Sequence, residues 1–197
     1  SLDIECSMSG ELYSIGLYSE TCQQVLMIAS AEEVLREQHE YADTDLDIIW
    51  QTDEKALLLS LLAWFRAHDP DIVIGWNVIN FDFNLLQKRY ELHGIKFAIG
   101  RDGKAPHWRK NKASEQQFIE INGRVILDGI DLLKTATYSF PSFSLDNVAN
   151  TLLGIGKKVD DVDNRVQEIT DNFKHNKTAL ALYNLEDCRL VWLIFQH

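Results

Sequence analysis

An α/β layer fold, with helices packed on a mixed β-sheet, is predicted by three features of this chain. Strand-like and helix-like stretches alternate along its length. The run "IVIGWN" (72–77) is short, apolar and continuous, as central parallel strands are. An apolar fraction of 46%, with five Trp, nine Phe and six Tyr, supplies a core for 197 residues. A chain of that length is most simply one domain, burying about 70% of its unfolded surface.

The elements follow in order. "SLDIEC" (1–6) and "ELYSIGLY" (11–18) predict two strands joined by a turn at Ser9-Gly10, and "QQVLMIA" (23–29) predicts a third. The acidic segment 31–54 is expected to be irregular. Thr52 is placed to cap a helix through "EKALLLSLLAWFRAH", where Leu57, Leu58, Leu61, Leu62 and Phe65 form an apolar stripe that Asp69-Pro70-Asp71 stops. After the "IVIGWN" strand, a helix is expected from about Phe81 to His93, ended by Gly94. Asn122-Gly123 between "QQFIEI" and "RVILDG" is a hairpin signal. Two more helices follow "ILDGIDLLK", the second ending at Gly154, and a last one covers "TALALYNLEDCRLVWLIF" (178–195). Trp64, Trp76 and Trp192 are expected in the core, Trp50 and Trp108 in loops.

Composition excludes several classes. No apolar run approaches the roughly 20 residues that span a bilayer, so no membrane partner is expected. Cys6, Cys22 and Cys188 form no CxxC and no even framework, which fits reduced thiols in a cytoplasmic protein. The net charge of −11, from 30 acids and 19 bases, argues against holding nucleic acid by global phosphate attraction. The charge is uneven, however. Residues 88–112 carry Lys88, Arg89, Lys96, Arg101, Lys104, Arg109, Lys110 and Lys112 against Glu91 and Asp102. That strip is either a solvated loop or a surface facing DNA or another domain.

Three stretches carry chemistry. In "LDIEC", Asp3 and Glu5 share one face of a strand while Leu2 and Ile4 take the other. In "GWNVINFD", Asp82 follows a buried strand at a helix N-terminus, where it is either a cap or a functional acid. In "YNLED", Tyr183 and Asp187 are four apart and lie on one helix face. A strand edge, a strand-to-helix turn and a packed helix can converge in such a fold, giving four carboxylates and a phenol with no arginine close in sequence. Like charges held together raise one another's pKa unless a cation intervenes. Hard divalent ions prefer such oxygen ligands. The six histidines show no metal-ligand spacing, and Asp128 and Asp131 are best taken as strand-end and helix-start acids.

"DIE", then Asn77 to Asp82 as N-x-x-x-F-D, then Tyr183 to Asp187 as Y-x-x-x-D, resemble the three motifs of the DEDDy 3′–5′ exonucleases, which share a ribonuclease-H-like (DnaQ-like) fold. "IGWNVINFD", "GELYSIGL", "NGRVILDGIDLLK" and "SFSLDNVANTLLG" are similar to the exonuclease domains of family-B DNA polymerases, the bacterial ones in particular. The resemblance covers nearly the whole chain. It implies a proofreading 3′–5′ exodeoxyribonuclease that cleaves single-stranded or frayed DNA 3′ ends with two divalent ions, Mg²⁺ or Mn²⁺. It makes Asp3, Glu5 and Asp187 ligands of one ion, and Asp3, with Asp82 largely through water, ligands of the other. Tyr183 would position the attacking water, and Asn77, Phe81, Ser144 and Leu145 would contact the single strand. Stacking on an aromatic is worth about 1–3 kcal/mol per base, so an acidic protein can hold a short single strand without a basic groove.

The resemblance also marks departures. Cys6 stands where many relatives have a Thr that helps hold the terminal nucleotide, and a thiol is a weak donor. The superfamily's histidine variant would place His at Leu182, so the tyrosine branch fits better. "YADTD" (41–45) resembles a polymerase palm motif, yet nothing else here could build a palm, and the match is taken as chance. Residues 1–197 are therefore expected to be one exonuclease domain excised from a longer polymerase, acting at the nucleoid beside its polymerase domains. Two other readings stay open: an RNA-processing exonuclease of the same branch, and a non-catalytic module that binds DNA ends.

Overall fold

A computed structural model describes residues 1–40, 46–111, 116–155 and 165–197; "YADTD" and Lys112 lie outside them. Four strands form a mixed sheet in the order β1-β2-β3-β4: β1 (Leu2–Cys6), β2 (Leu12–Tyr18), β3 (Gln23–Ile28) and β4 (Asp47–Gln51). The first three are antiparallel neighbours, and β4 joins β3 in parallel. The segment expected to be irregular thus contains α1 (Ala31–Glu40) and β4. Its acids hid both: on α1 the inward face itself carries an acid, Glu37, which is buried and accepts from the Lys177 and Thr178 amides, and "DIIWQ" is too short to show a period. Trp50 is consequently in a strand rather than a loop.

The two faces of this sheet explain the layers. Leu2, Ile4, Ile15, Leu17 and Leu26 join Leu57, Leu58, Leu61, Leu62 and Phe65 of α2 (Glu54–His68) in the main core cluster. The apolar stripe was legible, but its cap is Asp53, not Thr52: the Asp53 carboxylate accepts from the Ala56 amide at 2.8 Å. On the other face, Val25 and Met27 pack under Leu180 and Ala181 of α7 (Lys177–Gln196). The Asp3–Glu5 face of β1 therefore looks toward α7.

β5 (Ile72–Gly75) pairs in parallel with β8 (Val125–Asp128), forming a second, two-stranded sheet. The helix expected at Phe81 starts two residues earlier, as a π-helical turn (Ile79–Phe83) that continues into α3 (Asn84–Leu92). The Asn122-Gly123 turn exists, with Gly123 at φ 81° and a bridge between Ile121 and Arg124. Its arms do not form the expected hairpin, however. β7 (Gln117–Glu120) pairs with β6 (His107–Lys110), which puts Trp108 in a strand, while β8 turns away to β5. Parallel pairing beside the buried β5 covers one side of β8, and no local signal announces that partner.

Gly129–Thr135 (α4) and Leu145–Leu153 (α5) are the two helices expected after β8, and Gly154 ends the second at φ 67°. α6 (Arg165–His175) was not foreseen; Phe173 on it stacks on Tyr13, with ring centroids 3.9 Å apart. Trp64, Trp76 and Trp192 are half-buried rather than fully internal. A mixed sheet flanked by helices is the architecture of a ribonuclease-H-like fold.

Candidate active site

β1 presents Asp3 and Glu5 side by side, and α7 lays Asp187 across them. A carboxylate oxygen from each lies within 4.8 Å of the others. No other group of three or more His, Cys, Asp or Glu comes together this way among the described residues. Glu5 is 6% exposed. Tyr183 lies one turn before Asp187 on α7, half-buried on the same side.

Asp82 approaches from the π-helical turn. It is 2% exposed, and its Oδ1 accepts from the Ile4 amide of β1 at 3.0 Å. It caps no helix; the acid that caps the nearby α4 is Asp128, whose carboxylate accepts from the Ile130 amide at 3.0 Å and from the Ile79 amide at 3.3 Å. Gly75 makes the approach possible, because a Cβ there would sit 2.5 Å from Val78 Cβ and 2.9 Å from the Leu2 carbonyl oxygen. The chain can therefore fold back over β1 directly after β5.

The electrostatics follow from this crowding. Burial, then Asp82, Glu5 and Asp187, push the Asp3 carboxyl well above its usual range, against the lowering effect of a hydrogen bond from Asn184. Burial raises Asp82 as well, opposed by backbone amides. Cys6 is pushed up to about 11 by burial and by Glu5, Asp82 and Asp3. It packs against the main cluster, with a slip of β1–β2 register between Glu5 and Cys6. Four acids in such a place ask for cations, and an all-carboxylate oxygen set suits hard divalent ions.

Sequence reasoning missed the residues that hold this arrangement. Asn184 is fully buried on α7; its Nδ2 donates to Asp3 Oδ2 at 2.6 Å, and its Oδ1 accepts from Ser14 Oγ on β2 at 3.0 Å. Gly16, opposite Asp3 on β2, lets α7 come this close: a Cβ there would lie 2.9 Å from Cys188 Sγ and 3.0 Å from Asn184 Cγ. The adjacency of Asn184 to Tyr183 was the one signal available.

The residues expected to touch a single strand sit between β5 and α3 and at the start of α5. Asn77 is exposed at φ 56°, a left-handed conformation in which Asn is among the commoner non-glycine residues. Phe81 is 47% exposed although Ile79 and Phe83 beside it are buried. Ser144 caps α5 through the Asn147 amide, and Leu145 packs on the cluster around Val148. Trp76 Nε1 donates to the Phe143 carbonyl at 2.9 Å, fastening the loop before Ser144 to the turn that carries Asn77. The basic strip is largely engaged within the protein. Arg89 pairs with Glu54, Arg101 with Asp69 and Asp71, Lys104 with Asp102, and Arg109 with Glu120.

Residues 1–148 match the family described as DNA polymerase family B, exonuclease domain. DNA polymerase II of Escherichia coli (strain K12) is 41% identical over 196 residues, which is 99% of this chain and 24% of that protein. The DNA polymerase of Thermococcus kodakarensis is 30% identical over 85% of this chain and 10% of its own length. That of Thermococcus sp. (strain 9oN-7) is 31% identical over 71% of this chain and 17% of its own. The chain thus spans about a quarter or less of these relatives. The two similarities foreseen, to family-B exonuclease domains and to the bacterial enzyme, are both found.

Proposed function

Since this chain belongs to the exonuclease domains of family-B DNA polymerases, we propose that it removes nucleotides from single-stranded or frayed DNA 3′ ends, one terminal phosphodiester at a time. In this reading, residues 1–197 are a proofreading domain working in the cytoplasm, at the nucleoid, beside polymerase domains of one longer chain. The observation that carries the proposal is the meeting of Asp3, Glu5 and Asp187 from β1 and α7 within 4.8 Å.

The donor set fits divalent metal. Asp3, Glu5 and Asp187 would hold one Mg²⁺ or Mn²⁺, and Asp3, with Asp82 acting largely through water, a second. Two such ions would supply a more acidic water and charge neutralisation at the leaving oxygen. The chain's own residues supply the rest. Tyr183 orients the attacking water with its hydroxyl, so that oxygen meets phosphorus opposite the departing 3′ oxygen. The water oxygen bonds to phosphorus as the P–O3′ bond breaks, a 5′-nucleotide leaves, and the proton that the water gives up balances the one that the new 3′-hydroxyl takes. Phe81 offers an exposed face for a terminal base, and Asn77, Cys6, Ser144 and Leu145 line the approach of the strand. Burial of Asp82 and Glu5 keeps bulk water from competing for their oxygens.

The test is digestion of a 5′-labelled single-stranded DNA oligonucleotide with Mn²⁺, with Mg²⁺ and with chelator, beside a matched RNA. The expected result is a descending ladder that needs metal, prefers DNA and vanishes in Asp187→Ala. Tyr183→Phe should slow cleavage about 100-fold while Mn²⁺ binding persists. Wild-type turnover by Asp187→Ala would sink the metal assignment. An RNA preference would move the chain to RNA processing, and metal-free end binding without cleavage would make it a binding module.

A further inference from the structure

We infer that Asn184 is a positioning residue for the candidate metal site: it holds Asp3 in its ligating orientation, and Ser14 holds Asn184. The inference rests on the metal-site reading above and adds residues that neither the motifs nor the comparisons assign.

The geometry is directional. A carboxylate on a strand can rotate about χ2, so its two oxygens are interchangeable until something holds one of them. Asn184 Nδ2 donates to Asp3 Oδ2 at 2.6 Å, which leaves Oδ1 and the remaining lone pair of Oδ2 for a cation. An amide can itself be turned end for end, which would set its oxygen against the carboxylate. The Asp3 carboxylate, which only accepts, selects the Nδ2 end, and Ser14 Oγ anchors the opposite end by donating to Asn184 Oδ1 at 3.0 Å. The chain of contacts therefore runs Ser14, Asn184, Asp3, from β2 through α7 to β1.

Asn184 is fully buried, as is Ser14, so neither group is there to meet solvent. Both of its polar ends are used, and each has one partner fixed by sheet register: Ser14 lies opposite Glu5 and Gly16 lies opposite Asp3. Groups that orient a metal ligand in this way typically change metal affinity 10–100-fold when removed. Ser14 acts only through Asn184, so the effects of removing both should not add.

The test is calorimetric titration of Mn²⁺ into the wild-type chain, Ser14→Ala, Asn184→Leu, the double variant and Asp187→Ala, with thermal unfolding of each in chelator. Asn184→Leu keeps the branched shape and removes both hydrogen bonds, and should weaken Mn²⁺ binding about 10–100-fold. Ser14→Ala should weaken it less, and the double variant no more than Asn184→Leu. A merely structural role would lower the unfolding temperature and leave the dissociation constant of the folded fraction unchanged. Wild-type Mn²⁺ affinity in both Asn184→Leu and Ser14→Ala, with binding lost in Asp187→Ala, would overturn this inference while leaving the metal site intact. If Asp187→Ala bound Mn²⁺ normally, the metal-site reading would fail and this inference with it. Should Asn184→Leu not fold, Ser14→Ala decides: a weakened affinity supports the inference, and an unchanged one ends it.

Discussion

Replacing Gly16 by Ala should loosen the whole site although Gly16 bears no functional group. The added Cβ would sit 2.9 Å from Cys188 Sγ, 3.0 Å from Asn184 Cγ and 3.1 Å from Asn184 Nδ2. Comfortable contacts between such atoms begin near 3.5 Å, so α7 must retreat by about half an ångström. Overpacking of this kind costs about 1–3 kcal/mol. For a domain of this size each kcal/mol lowers Tm by about 2–4 °C, so the expected fall is roughly 2–12 °C. Function should suffer more than stability does, because Asp187, Asn184 and Tyr183 all ride on α7 while Asp3 and Glu5 stay on β1. A 1 Å misplacement can cost about 100-fold in rate, so half of it should cost about 10-fold. The assay is single-turnover cleavage of labelled single-stranded DNA with Mn²⁺, paired with thermal unfolding in chelator. Adding Cys188→Ala to Gly16→Ala removes the nearest clashing atom and should recover part of both losses. If Gly16→Ala kept wild-type Tm and wild-type cleavage, the close approach of α7 to β2 would not be what holds the site together.

Two further outcomes are expected. Glu54 joins β2, α2 and α3: it accepts from the Leu12 amide at 2.9 Å and from Arg89 Nε and His93 Nε2 at 2.7 Å each. Glu54→Gln should cost about 2 kcal/mol by urea unfolding near neutral pH, a figure typical of hydrogen bonds to a charged group. Burial would raise the Glu54 carboxyl, but Arg89, His93 and the Leu12 amide together hold it below its ordinary value of 4.5. A lowered folded pKa means stability that is present above that ordinary value and lost as pH falls through the folded one. The gap between wild type and Glu54→Gln should therefore close below pH 4.5; a gap constant down to acid would refute the assignment. Phe81→Ala should raise KM for single-stranded DNA about 10-fold, from the loss of one stacked base, with Tm unchanged because the ring is 47% exposed. An unchanged KM would remove Phe81 from the strand path.

Much of the candidate site could be read from spacing alone. Asp3 and Glu5 share a face because strand side chains alternate, and Tyr183 and Asp187 share one because helices repeat every 3.6 residues. Those are local rules, so four of the five motif residues were placed on their elements before any fold existed. The arms of the Asn122-Gly123 turn show where local rules stop. The turn is as expected, yet β7 and β8 part because each finds a better partner, β6 and β5, elsewhere in the sequence.

What the sequence by itself determined, then, was which acids and which phenol share a face of their own element, and the family whose motifs they match. The tertiary structure alone decided how tightly they meet. Asn184 reaches Asp3 across 181 positions and Ser14 across 170, and Gly16 matters only because α7 crosses β2 above it. No periodicity encodes such contacts. They depend on two elements packing at one point, and close packing leaves each of those atoms little room to be anything else.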